Sequence, residues 1–370
     1  MSSVDILVKD ILIRDRRLFR ESIVDKPCVV DPVEGDGRPV IVDFTEYSPL
    51  HNGHLHCMLE SKRLVDDGIF VAVVPGLFER SGRGLPYVMT REARAEIAVE
   101  VGADIVVEGP PMGVMGSGQY SLCLAKMFQA VNASFIPRGY KPFMGYDKIL
   151  GRINQGHEVV PKPYKIVDKT VKEVLLEGKL EEDNYVIVSL SKSLSKIGFN
   201  YKDKFLFIKR IEGVSGTIIR QALENNKLEE AEKMLPEPTI KILEREIKNN
   251  RAPLHTYRDE ETILNTVNTY TEEQLNQLAL INPATAKIIT QKTENSEFQS
   301  IEELLSRITQ GFSSHYKNRV LSALEAKLNK DEISKYINCY PSNIRILNYK
   351  NKQILNEFTK QVKTEFNKIT

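Results

Sequence analysis

Val40-Ile41-Val42-Asp43-Phe44-Thr45-Glu46-Tyr47-Ser48-Pro49-Leu50-His51-Asn52-Gly53-His54 is the stretch that decides the fold. Its first five residues are almost all apolar, which predicts a strand covered on both faces. A Pro-containing turn follows, then a helix over residues 53–65. The alternation continues outward. Strands are predicted over residues 70–74, 104–107, 133–136, 185–188 and 205–208. Helices are predicted over residues 90–101 and 119–131. Thr90 serves as N-cap of the first of these, with Gly102 just past its end. Apolar strands alternating with helices mean an α/β fold, a doubly wound parallel sheet whose ligands bind beyond the carboxyl ends of the strands.

The turn after the first strand carries the chemistry. His51 and His54 lie one helical turn apart and so share a face. Gly53 opens the helix and lets backbone approach a phosphate. Free N–H groups at a helix start attract anions. Two imidazoles there can donate to phosphate oxygens and gain value as charge grows during attack on the α-phosphate of ATP. A zinc site on His51, His54 and His56 lacks a thiolate or carboxylate cluster to complete it. Cys57 reads as a small residue on the same helix rather than a nucleophile. A second anion site is expected after the last strand, where Lys209-Arg210 precedes Gly213-Val214-Ser215-Gly216-Thr217-Ile218-Ile219-Arg220. Ser215 or Thr217 would cap the helix, and Arg220 would reach phosphates bidentately.

The 370 residues suffice for about two domains. A net charge of +1 excludes a uniformly basic surface but not a local patch. Four cysteines, none in a Cys-x-x-Cys pair, fit a reducing cytoplasm. No apolar run approaches the ~20 residues of a membrane span, so no membrane partner is expected. Residues 1–38 read as an N-terminal extension whose short apolar runs form a small β-rich appendage. Residues 39–235 form the ATP-binding domain. Residues 236–370 read as α-helical after the Pro236-Glu237-Pro238 break. Their last part, residues 301–370, holds twelve Lys/Arg against seven Asp/Glu. Tyr316, Tyr336, Tyr340 and Tyr349 are interleaved there, a pattern compatible with RNA binding by phosphate contacts and stacking. Arg91 and Arg94 read as solvated on a helix face. Gly82-Arg83-Gly84 reads as either a basic loop over the phosphates or a surface turn.

Glu46-Tyr47-Ser48-Pro49-Leu50-His51-Asn52-Gly53-His54 and Ser215-Gly216-Thr217-Ile218-Ile219-Arg220 resemble the two signatures of the nucleotidyltransferase superfamily. More narrowly, the chain resembles the tRNA(Met) cytidine acetate ligase family. Gly76-Leu77-Phe78-Glu79-Arg80, Leu228-Glu229-Glu230-Ala231-Glu232 and Ile344-Arg345-Ile346-Leu347-Asn348 add to the likeness. The resemblance implies a Rossmann-like nucleotidyltransferase core with a C-terminal α-helical domain. It implies an ATP-dependent ligase that makes acetyl-adenylate and acetylates the wobble cytidine of elongator tRNA(Met). His51, His54, Lys209 and Arg220 would be catalytic. Glu46, Tyr47, Gly53, Ser191, Arg210, Ser215 and Thr217 would contact the nucleotide, with Mg2+ accompanying it. Acetate or another small carboxylate and tRNA would be the other partners. The chain departs from the family at Gly116-Ser117-Gly118-Gln119-Tyr120 and at Ser189-Leu190-Ser191-Lys192. The alternative is a small-molecule nucleotidyltransferase acting on a phosphorylated acceptor; a third reading is an RNA-binding protein without catalysis.

Overall fold

The computed structural model describes residues 2–25, 37–291, 297–308, 314–362 and 366–368. In chain order the helices are α1 (Ser3–Glu21), α2 (Asn52–Leu64), α3 (Arg91–Glu100), α4 (Ser117–Ala130), α5 (Tyr146–Asn154), α6 (Glu182–Lys196), α7 (Gly216–Glu224) and α8 (Glu237–Lys248). They continue with α9 (Glu260–Thr269), α10 (Glu272–Gln277), α11 (Pro283–Thr290), α12 (Ile301–Arg307), α13 (Ser314–Ala326), α14 (Lys330–Cys339) and α15 (Lys352–Lys360). The strands are β1 (Val40–Phe44), β2 (Ile69–Pro75), β3 (Ile105–Gly109), β4 (Ile136–Tyr140), β5 (Val159–Lys162), β6 (Lys165–Asp168), β7 (Glu173–Glu177), β8 (Phe205–Lys209), β9 (Ile344–Tyr349) and β10 (Phe366–Lys368).

β1 pairs in parallel with β2, and β2 with β3; β4 pairs in parallel with β8. The two groups meet where Phe135 bridges Ile41 and accepts from Val42 N at 2.8 Å. The parallel part therefore runs β3-β2-β1-β4-β8. Strand order reverses between β1 and β4, the switch point where such sheets bind ligands beyond the strand ends. Every residue of β1, β2 and β3 is buried, as strands covered on both faces require.

Several expectations are corrected. Residues 1–38 contain a 19-residue helix rather than a β-rich appendage. Val4, Val8, Ile11, Leu12 and Phe19 recur at helical spacing and are buried, and Ser2 and Asp5 form a capping box. Residues 185–188 are not a strand but lie within α6. Its buried positions Ile187, Val188, Leu190, Ser191 and Leu194 follow helical spacing, and Glu182 and Asp183 occupy its first turn. The antiparallel sheet β5-β6-β7 has no counterpart among the predicted elements. The helical part has its own core, drawn from α9 to α13 with Ile263, Leu275, Ile289, Leu304 and Leu321. It does not continue to the end of the chain. β9 returns to the main sheet and pairs antiparallel with β3, and β10 pairs with β9.

Candidate active site

The turn from β1 into α2 sets the site. His51 is the N-cap of α2 and is 6% exposed. His54 N–H donates to His51 Nδ1 at 3.4 Å, and His51 N–H donates to His54 Nδ1 at 3.3 Å. The rings stack with centroids 3.7 Å apart, and Tyr47 packs edge-on to His54. Burial, reinforced by Arg210, lowers the His51 pKa to about 4; burial and the His51 ring push His54 well below its usual value. Both rings are thus neutral near pH 7. With each Nδ1 accepting, the proton resides on Nε2, so each ring keeps one N–H to donate.

Preceding residues are held by the core. Arg94 donates to the carbonyls of Glu46 and Pro75, both at 2.7 Å. Ser48 Oγ accepts from Val88 N at 2.9 Å. Tyr47 is fully buried at φ 46°. Glu46 Oε1 accepts from Gly82 N at 3.2 Å. Burial raises the Glu46 carboxyl pKa, against the pull of that N–H, Arg94 and Arg220.

α7 brings the second signature to the first. Ser215 is its N-cap, accepting from Ile218 N. Arg220 donates to Ser48 O at 3.2 Å and to Thr217 Oγ1 at 3.3 Å. A Cβ at Gly216 would stand 3.3 Å from Arg220 Nη1 and 3.8 Å from His51 Nε2. Glycine backbone there leaves a bare space faced by both donors and by two helix N-termini, the arrangement an oligophosphate requires. Gly53 lies inside the first turn of α2, against the His51 ring. Lys209 ends β8, and its carbonyl contacts His56 Nε2 at 3.2 Å. Arg210 follows and pairs with Asp183 in the first turn of α6. His51, His54, Gly53, Glu46, Tyr47, Ser215, Thr217, Arg220, Lys209 and Arg210 therefore belong to one end of the sheet.

Ser191 does not. It is fully buried in α6, and its hydroxyl donates to Val188 O at 3.0 Å. The resemblance implied a nucleotide contact for it; the helix turns its side chain inward. Arg91 and Arg94 are likewise not solvated, each being 0% exposed. Arg91 makes two hydrogen bonds to Asp15 of α1 at 2.8 and 2.9 Å, and its Nε lies 2.8 Å from Glu108. Glu79 takes Arg94 at 2.7 Å, and Arg345 of β9 takes Glu108 at 2.6 Å. Three of the four tyrosines of residues 301–370 expected to stack are also committed. Tyr336 and Tyr340 are 4% and 6% exposed, and the Tyr316 hydroxyl bonds Thr285 at 2.8 Å.

The sequence reading passes over Asp43 and Arg138 beneath the site. Asp43, the fourth residue of β1, lies 3.5 Å from Arg138 of β4, across the switch point. Burial raises its carboxyl to about 6 despite Arg138. An acid interrupting an otherwise apolar strand was the available signal. The Cys57 thiol is pushed up to about 12 by burial, which suits an inert residue.

A parallel sheet with paired histidines at its switch point and a Ser-x-x-x-x-Arg helix against them is a nucleotidyltransferase-type site. Comparisons agree. Residues 41–125 match the HIGH Nucleotidyl Transferase family model, and residues 141–348 match the Cytidyltransferase-related C-terminal region. An uncharacterized protein of Methanocaldococcus jannaschii is 43% identical, covering 93% of this chain and 94% of its own. The tRNA(Met) cytidine acetate ligase of Thermotoga maritima is 29% identical, over 56% of this chain and 57% of its own; that of Fervidobacterium nodosum is 28% identical, over 56% and 55%. The chain thus spans about half the length of these curated ligases. The crystal structure of Thermotoga maritima TmcAL bound with alpha-thio ATP superposes with TM-score 0.69 at 22% identity, covering 89% of this chain and 85% of that one. The chain belongs to the HIGH nucleotidyltransferase family and is an enzyme of nucleotidyltransferase type, with tRNA(Met) cytidine acetate ligases among its relatives.

Proposed function

We propose that the protein is an ATP-dependent, adenylate-forming ligase that activates a small carboxylate and passes the acyl group to a cytidine of tRNA. The observation that carries this reading is the stacked His51–His54 pair at the start of α2, with His51 Nε2 and the Arg220 guanidinium facing the glycine-floored space between two helix starts. A carboxylate oxygen would attack the α-phosphorus of ATP, forming a P–O bond while the bond to pyrophosphate breaks. The neutral imidazoles would donate to the charge that grows on the phosphate oxygens, and Arg220 would hold the leaving pyrophosphate. The cytidine amine would then attack the acyl carbonyl, releasing AMP and a proton. Acetate as the acid, tRNA as the acceptor and a cytoplasmic location follow the names of the related ligases. Mg2+ would come with the nucleotide's phosphates. Among the described residues no group of three His, Cys, Asp or Glu side chains could hold a metal ion. No described helix is long and apolar enough to cross a membrane.

The test is isotope exchange between ATP and pyrophosphate with and without acetate, followed by mass spectrometry of nucleosides from tRNA incubated with enzyme, ATP and acetate. Acetate-dependent exchange and appearance of N-acetylcytidine are expected. Exchange that ignores carboxylates but requires a phosphorylated acceptor would replace this reading with small-molecule nucleotidyl transfer.

A further inference from the structure

Tyr336 and Tyr340, expected to stack RNA bases, are buried, yet another part of the molecule exposes what they lack. We infer that an unpaired stretch of RNA docks on the surface around the N-terminus of α6, built from the loop after β4 and the β5–β6 turn. The inference rests on the reading that the acceptor is RNA.

Four large side chains stand out from this surface. Met144 is 97% exposed, Tyr164 70%, Tyr185 42% and Phe143 38%. They come from three segments tied together. Asn184 in the first turn of α6 accepts from Lys141 N at 3.0 Å and donates to Lys141 O at 2.8 Å, which holds the Phe143-Met144 loop beside α6. Gly178 N donates to Tyr164 O at 2.6 Å, fixing the β5–β6 turn next to the chain that enters α6. Tyr164 carries Lys179 over its ring at 5.0 Å. Lys162 and Lys165 are cross-strand partners flanking the turn.

Charge decides the class of partner. The acids of the α6 N-terminus are answered: Glu181 by Lys141, Glu182 by Arg83 and Asp183 by Arg210. Lys162, Lys165 and Lys179 are exposed and, among the described residues, none lies within ion-pair distance of a carboxylate; Glu177 faces Lys165 across the strands. Exposed lysines outside ion-pair distance of any described carboxylate, set among exposed rings, fit phosphates between unstacked bases.

Fluorescence anisotropy with a labelled anticodon-arm stem-loop RNA, at several salt concentrations, tests this on the full chain. Tyr164→Ala should weaken binding about tenfold or more, the range for loss of one stacked base, and Tyr164→Phe should restore it. The double variant Lys162→Glu, Lys165→Glu should weaken binding and flatten its salt dependence. ATP–pyrophosphate exchange should be unchanged in all three. If wild type binds the stem-loop and these variants bind it equally well, the surface is wrong and the ligase reading stands. Lost self-association with unchanged RNA affinity would make the surface a protein interface and overturn the inference. If wild type shows carboxylate-dependent exchange but binds no RNA, the RNA acceptor itself fails.

Discussion

Each imidazole of the pair accepts a backbone N–H at Nδ1, and this decides both tautomer and charge. Protonating either Nδ1 would set two N–H groups against each other beside a second ring 3.7 Å away. His54→Ala should leave the fold intact, because one N–H acceptor at a helix start is lost to water at modest cost. It should lower ATP–pyrophosphate exchange by roughly 10²–10³, the usual loss for one donor to a developing oxyanion. Exchange at the wild-type rate would remove the histidines from the chemistry. The depressed pKa also makes a statement about stability. His51 titrates near 4 in the folded chain and near 6.5 unfolded, so between these values the unfolded chain binds more protons. The contribution of the neutral ring is whole above about pH 6.5 and is lost as pH falls toward 4, with a limiting slope of ~1.4 kcal/mol per pH unit. Urea midpoints of wild type and His51→Gln should therefore converge between pH 7 and pH 4.5. A constant difference would mean that His51 is not buried neutral.

At the scale of elements, α1 is part of the main domain. Its Asp15 takes two hydrogen bonds from Arg91 and one from Phe78 N at 2.7 Å. Asp15→Ala leaves Arg91 with less buried counter-charge and should cost about 3–5 kcal/mol, the usual result of breaking a buried pair from one side. Chemical denaturation reads it out; a loss below about 1 kcal/mol would make α1 an accessory helix. α13 is joined to the loop before α3 just as tightly. Gly84 sits at φ 78°, and a Cβ there would meet the Asn318 and Arg319 backbone at 2.4–2.6 Å. Arg80 and Arg258 both pair with the buried Glu325 at 2.8 Å. Gly84→Ala should lower thermal stability by several degrees, through both strain and the displaced helix. An unchanged melting temperature would show that loop and helix are not in contact.

For the whole molecule, the end of the chain matters more than its composition suggests. β9 lies between β3 and β10, and Arg345 satisfies Glu108, which Arg91 also contacts. Cutting the chain after Tyr340 removes β9 and β10 from the main sheet and one cation from a buried network. The shortened protein should be destabilised by more than Asp15→Ala and should lose exchange activity through unfolding. Circular dichroism melts of both measure this. A truncation that melts like the full chain and still exchanges ATP with pyrophosphate would show that the core closes without β9.

Local chemistry made much of this legible from the residues alone. Strands buried on both faces read as apolar runs, and the two anion-binding turns read as His-x-x-His and Ser-x-x-x-x-Arg, because each depends on neighbours within a few positions. That determined the parallel core and the turns that carry His51, His54 and Arg220. Tertiary structure decided what depends on distant partners. Whether Arg91 is solvated or buried rests on Asp15, 76 positions away. Whether residues 185–188 form a strand or a helix face rests on what covers them, since Val-Ile-Val suits both. Whether a tyrosine stacks on a base or fills a core rests on its exposure, which left Tyr336 inside and Tyr164 outside. A residue's type limits the contacts it can make, and only the fold supplies the partner.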